Sequence, residues 1–183
     1  LLCTVLVLLC VGYVDRPVER YVHAHQGAHL LFELMAAPAL LPSPIALIYL
    51  ARCGLGHFTA RGLWLQLSVA TVIAVAAKDE LKWVFGRPWP ENWIDYGMYA
   101  FHPFATGVLY GGFPSGHTSY IAAPMCVLWR AVPQYRAVWA GVMAMVMVGL
   151  VGAGYHFVGD VIAGFFTGLA AAAGTMACIG DKK

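Results

Sequence analysis

Gly62-Leu-Trp-Leu-Gln-Leu-Ser-Val-Ala-Thr-Val-Ile-Ala-Val-Ala-Ala-Lys-Asp-Glu-Leu-Lys-Trp-Val-Phe85 opens as an uncharged, mostly apolar run and closes on Lys78, Asp79, Glu80 and Lys82. About 20 such residues suffice to cross a hydrocarbon core about 30 Å thick. In lipid the backbone must satisfy its own hydrogen bonds, so the segment is predicted to be a helix. The whole chain agrees with this reading. Of its 183 residues 61% are hydrophobic and 11% charged, with a mean hydropathy of +0.71. A soluble domain carries about 25% charged residues. The polar surface is too small for a water-soluble fold, and an all-α integral membrane protein is expected.

Outward from that segment, five more spans can be drawn, which predicts a six-helix bundle forming one domain over residues 1–183. Leu30 to Cys53 carries Pro38, Pro42 and Pro44, and a kinked helix is expected there. Ser115 to Val132 is expected to break internally at Pro124 and stops at Pro133. Tyr135 to Gly154 and Asp160 to Ile179 follow. The run from Leu1 to Val14 would reach only about 21 Å as a helix at about 1.5 Å per residue. It reads as a transmembrane helix truncated at its N-terminus, with a leftover signal-peptide core as the alternative. The five cysteines, Cys3, Cys10, Cys53, Cys126 and Cys178, show neither a CxxC pair nor regular spacing and read as small membrane-core residues.

Charge divides the loops. Arg52, Arg61, Arg130, Arg136, Lys182 and Lys183 stand against the single acid Asp181 on one side, while the other holds Arg16, Arg20, Lys78, Lys82 and Arg87 with eight acids. The positive-inside rule makes the first side cytoplasmic and puts Lys78 to His117 outside, in the periplasm of a bacterial inner-membrane protein. The net charge of +2 and the lack of a basic cluster exclude a nucleic-acid partner.

Three stretches at the outer ends of the spans could carry chemistry. Phe113-Pro114-Ser115-Gly116-His117 reads as a helix start with Ser115 as N-cap. Gly116 lets a ligand approach the backbone, the free N–H groups of the first turn form an anion site, and His117 stands ready to protonate a leaving oxygen. In Gly154-Tyr155-His156-Phe157-Val158-Gly159-Asp160, the His and Asp four apart share a helix face. A carboxylate there would fix the imidazole tautomer and leave the other nitrogen free to attack. In Lys82-Trp83-Val84-Phe85-Gly86-Arg87-Pro88-Trp89-Pro90, a lysine point charge and an arginine fork suit phosphate recognition. Each stretch alone also fits a plainer role: a capped helix, an interfacial His–Asp pair, or snorkelling cations in an aromatic belt. Their convergence on one face favours a phosphate site.

The order and spacing of these motifs resemble the type-2 phosphatidic acid phosphatases, whose superfamily includes vanadium haloperoxidases and glucose-6-phosphatase. That family's pattern is Lys-x6-Arg-Pro, then Pro-Ser-Gly-His, then Ser-Arg-x5-His-x3-Asp, and the resemblance runs from about Lys82 to Gly164. It implies His156 as nucleophile through a phosphohistidine, Asp160 orienting it, and His117 as general acid. Lys82, Ser115 and the Gly116 backbone would hold the phosphoryl oxygens. Neither metal nor cofactor is implied. Two departures stand out: Trp89-Pro90 occupies the place of Arg-Pro, and Gly149-Leu150 the place of Ser-Arg. Arg87 is the candidate to replace the first arginine and His102 the second. The expected function is a lipid phosphate or diphosphate phosphatase with membrane-lipid partners. The lipids that fit this expectation are of the phosphatidate, phosphatidylglycerophosphate, polyprenyl diphosphate and lipid A types. A lipid phosphotransferase, or a relative that only binds or moves phospholipids, is the alternative, and the composition argues against a soluble haloperoxidase.

Overall fold

The computed structural model describes residues 1–179. Asp181, Lys182 and Lys183, which contribute to the charge bias, lie outside the described residues. Nine α-helices with short 3₁₀ and π turns make up the described fold, and no strand is present among those residues.

The first helix runs further than the apolar stretch that predicts it. α1 (Leu2–Leu9) passes through a π-turn at Cys10–Val14 directly into α2 (Asp15–Ala24). Pro17 has no N–H to give to the preceding turn, and the helix widens just upstream of it rather than ending. Asp15 and Glu19, both buried, therefore sit on a helix and not in a loop.

The proline-rich second span breaks as expected. α3 (His29–Ala36) gives way to a 3₁₀ turn at Ala37–Leu40 and resumes as α4 (Pro42–Gly54). α5 (Gly62–Phe85) ends at Gly86, whose left-handed φ of +56° closes the helix. A Cβ at Gly86 would fall 1.9 Å from the His102 carbonyl oxygen, so only glycine admits this crossing. α6 (Pro90–Tyr96), α7 (Gly116–Ala131), α8 (Arg136–Gly152) and α9 (Val158–Ile179) follow. Among the described residues, four helical stretches are long and apolar enough to cross a membrane: Gln26–Gly54, Gly62–Phe85, Pro133–Gly152 and Val158–Ile179.

α5, α7 and α9 pack pairwise at the centre; α4 flanks α5, α3 flanks α8, and α1 lies along α9. Small residues set the α7–α9 distance. Cβ atoms added at Gly164 and Gly168 would each meet a backbone oxygen of α7 at 2.5 Å, those of Ser115 and Ser119 respectively. Packing between apolar helices in lipid favours such small-residue contacts. The consequence is positional: the N-termini of α7 and α9 are held side by side.

Candidate active site

Ser115 begins the construction. Its Oγ accepts a hydrogen bond from the Thr118 N–H at 3.4 Å and another from the Thr118 hydroxyl at 3.1 Å, while its own N–H donates to the Asp160 carbonyl at 2.9 Å. One residue thus caps α7 and ties it to the first turn of α9. Ser115 is fully buried, so its side chain serves the cap; Gly116 is buried beside it, and His117 is the half-buried residue of the first turn.

Gly116 has a local reason to be glycine. A Cβ there would press on Cδ and Cε of Lys78 at 3.2 and 3.4 Å. Lys78 therefore lies across the start of α7, with its ammonium paired to the exposed Asp79. Lys82, one turn further along α5, makes no ion pair among the described residues and holds its Nζ 5.0 Å from the centre of the Trp89 ring. That same ring sits 5.0 Å from the imidazole of His156. His117 lies within electrostatic range of His156, Lys82 and Lys78 and packs on Tyr120. Lys82, His117 and His156, each read from sequence as site residues, are thus brought together, and Lys78 joins them. Sequence reasoning counted Lys78 only as a loop charge, although its i,i+4 spacing from Lys82 on a helix was the available signal.

His156 is set by backbone. Its N–H and that of Tyr155 donate to the Leu150 carbonyl at 3.3 and 3.0 Å, which folds the α8–α9 connection into a tight turn. Asp160 Oδ2 accepts the Phe157 N–H at 3.0 Å and so caps α9. His156 Nδ1 lies 3.6 Å from that same oxygen, is sealed from solvent and has no other partner. The pair is juxtaposed but a few tenths of an ångström beyond a hydrogen bond.

Arg87 does not stand where the sequence suggested. Instead of swinging toward Ser115 and His117, it is fully buried and donates through Nη1 to Asp160 Oδ1 at 2.6 Å and through Nη2 to Asp15 Oδ2 at 2.8 Å. Its guanidinium stacks 4.3 Å from the Phe157 ring and near Tyr99 and Phe101. The physical reason is its neighbours: two buried carboxylates attract the guanidinium more strongly than an open surface could. Arg87 is therefore corrected from a phosphate clamp to a partner of Asp160. His102 likewise contributes backbone. Its N–H donates to the Gly86 carbonyl at 2.9 Å, and its exposed ring packs on Tyr110 at 5.1 Å. No hydrogen bond or ion pair links it to the lysines or site histidines among the described residues, which counts against it as the second phosphate ligand.

The places of the two consensus arginines are filled rather than empty. Trp89 occupies the first, between Lys82 and His156, with its indole N–H bonded to the Val108 carbonyl at 2.6 Å. At the second, Leu150 is buried against Ala36, Ala39, Ile121, Val146 and Val161. Beside it a Cβ on Gly149 would clash with the α3 backbone at 2.7 Å. Among the described residues, no three His, Cys, Asp or Glu side chains converge as a bound metal ion would require.

A family model described as PAP2 superfamily matches residues 63–183. Two curated proteins, each named lipid A 1-phosphatase, from Rhizobium etli and Rhizobium johnstonii, are both 38% identical to this chain over 94 residues. The aligned stretch covers 48% of this chain but only 38% and 36% of those relatives' lengths. No solved structure matches.

Proposed function

The chain belongs to the PAP2 superfamily, and we propose that it is an integral membrane lipid phosphatase working through His156, His117 and Asp160, with Lys78 and Lys82 holding the phosphate. The observation that carries this reading is the convergence of two lysines, a helix N-terminus and two histidines around one spot, with Trp89 in contact with both Lys82 and His156. Two ammonium groups and the backbone N–H groups of Gly116 and His117 supply positive potential where a phosphate monoester carries negative charge.

The proposed chemistry is an in-line displacement at phosphorus. The free imidazole nitrogen of His156 forms a P–N bond as the P–O bond to the lipid breaks, and His117 gives its proton to the departing lipid oxygen. Asp160 closes on Nδ1 and stabilises the developing imidazolium. Water then attacks the phosphohistidine with His117 as base, releasing inorganic phosphate and restoring both histidines. No metal enters this scheme.

A lipid substrate suits the surroundings. An apolar groove of about 820 Å³ lies between α1, α5 and α9, and its lining includes Val7, Ile73, Leu81 and Phe166 together with Phe113 and Pro114, which directly precede Ser115. An acyl chain lying there would leave its phosphate at the start of α7. The remaining parts of the proposal are a six-helix single domain, to which the four long apolar helical stretches among the described residues would contribute, and a site facing away from the cytoplasm, supported by the loop charge bias. The names of the two relatives support lipid A as the first substrate to test.

The test is phosphate release by purified protein from lipid A, phosphatidate, phosphatidylglycerophosphate and a polyprenyl diphosphate, each with chelator present. Turnover that survives EDTA and yields to vanadate is expected. Activity lost to EDTA and regained with magnesium would overturn the metal-free scheme, and no release from any lipid would overturn the function. For the facing, a cysteine placed near Tyr99, at the exposed Ala100, in a cysteine-free background should react with an impermeant thiol reagent added outside intact cells.

A further inference from the structure

Three charged side chains behind His156 form a closed set that the proposed chemistry leaves unused. Arg87 bridges Asp160 Oδ1 at 2.6 Å and Asp15 Oδ2 at 2.8 Å, and all three side chains are 0% exposed. The other oxygen of Asp15 accepts the Gly159 N–H at 2.8 Å. A Cβ on Gly159 would sit 3.0 Å from Asp15 Oδ2, so that glycine is what lets the carboxylate reach the start of α9. Asp15 belongs to α2, outside the residues 63–183 that match the family.

A guanidinium held by one buried carboxylate would be free to pivot about it. Two carboxylates at opposite Nη atoms fix its plane, and the ring of Phe157 beneath it removes the remaining freedom. The fixed Arg87 in turn holds Asp160 Oδ1, which leaves Oδ2 turned to Phe157 N–H and His156 Nδ1. Burial makes the set consequential, because a lone charge at that depth costs several kcal/mol and a pair missing one member is strongly destabilised. Two carboxylates and one guanidinium leave one net negative charge, enough to stabilise one imidazolium. Without Asp15 the cluster would be neutral.

We infer that Asp15 is a positioning residue for the nucleophile: acting through Arg87 and the Gly159 N–H, it fixes the Asp160 carboxylate and preserves the negative charge that supports His156. The role rests on the reading of His156 and Asp160 given above, so its primary test does not depend on turnover. His156 is faced by Asp160 from α9 and by Arg87 behind it. Lys82 from α5 approaches it across the Trp89 ring, His117 from α7 lies within electrostatic range of it, Lys78 lies beside His117, and Glu19 from α2 lies within range of Asp160. Asp15→Asn leaves all of these in place and removes one negative charge.

The experiment is an NMR titration of the full-length protein in detergent with ring-¹⁵N-labelled histidine, the His156 signal being identified by its absence in His156→Gln. In Asp15→Asn, His156 should lose its proton at lower pH than in the unaltered protein, because less negative charge supports the imidazolium. If the phosphatase reading holds, kcat should also fall about 10–100-fold with KM little changed, the range seen when outer partners of a working histidine are removed from metal sites. The acid limb of the pH–rate profile should move down in step. A loss caused only by looser packing would lower activity and leave the titration where it was, which would overturn the inference. Should Asp15→Asn fail to fold, Asp15→Glu keeps the charge but displaces the carboxylate by one methylene and loosens its hold on Arg87 and Asp160; a His156 titration moved in the same direction by a smaller amount is then expected, and an unmoved titration overturns the role. Loss of turnover in the unaltered protein, with the titration shift intact, would count against the phosphatase reading alone.

Discussion

The two sides of His156 treat positive charge in opposite ways. On the α5–α7 side, Lys78 leans on an exposed aspartate, Lys82 has no ion-pair partner among the described residues, and both stay within reach of His117. On the α2–α9 side, Arg87 is sealed, stacked on aromatic rings and bonded to two carboxylates. Cations for a ligand must remain poorly paired until the ligand arrives, whereas a cation for structure must be fully paired before burial is tolerable. Motif position alone would have joined Arg87 with the lysines. Its partners place it with the scaffold.

The largest expected effect lies where the two sides meet. His156→Ala should lower phosphate release by at least about ten-thousand-fold, since a nucleophile and its general acid act as a unit, while leaving the folded protein intact. Undiminished release would assign the nucleophile elsewhere and dissolve the contrast. Next comes the sealed side. Arg87→Met strands two buried carboxylates and should cost about 3–5 kcal/mol of stability, read as a lowered unfolding midpoint in detergent. Lys82→Ala, by contrast, should leave that midpoint nearly unchanged and lower kcat/KM several hundredfold, equivalent to about 3–4 kcal/mol of transition-state stabilisation. If Lys82→Ala unfolds the protein, or Arg87→Met folds normally and only weakens substrate binding, the two sides have been assigned the wrong way round.

Much of this was legible in the sequence, and the failures share a cause. Most helices, the proline break of the second span and the Ser115 cap are set by local composition, whereas the first helix continues past its apolar run into α2 and α7 passes unbroken through Pro124, where a break was expected. Lys82, His117, His156 and Asp160 were readable because motif spacing fixes which helix end each occupies. Lys78 was readable and overlooked. Asp15 was not, because Arg87 meets it across 72 residues of sequence and no local pattern announces the contact. For the same reason Arg87, read by its distance from Lys82, went to the wrong side. Leu150 shows a third kind of limit: the sequence reveals a missing arginine but not that α3 has packed into the room it would need.

The smallest effect tests whether the sealed side is sealed by charge pairing in general or by Arg87 alone. Glu19, one turn beyond Asp15 on α2, is buried but has no hydrogen-bond or ion-pair partner among the described residues, and it borders a polar cavity shared with His23, His29, Glu91 and Asp95. Burial first, and then the negative charge of Asp160, push its carboxyl from the ordinary 4.5 up to about 7. Its folded-state affinity for a proton therefore exceeds that of the unfolded chain. The stability this contributes is fully present below about pH 4.5 and is lost as pH rises through about 7. Glu19→Gln mimics the protonated form at every pH. It should raise the unfolding midpoint by a few degrees at pH 8 and leave it unchanged at pH 4, where the native carboxyl is already neutral. A lower midpoint at pH 8 would mean that the carboxylate is satisfied by a cation after all. The rule that a buried charge on this side needs Arg87 would then fail at its nearest neighbour.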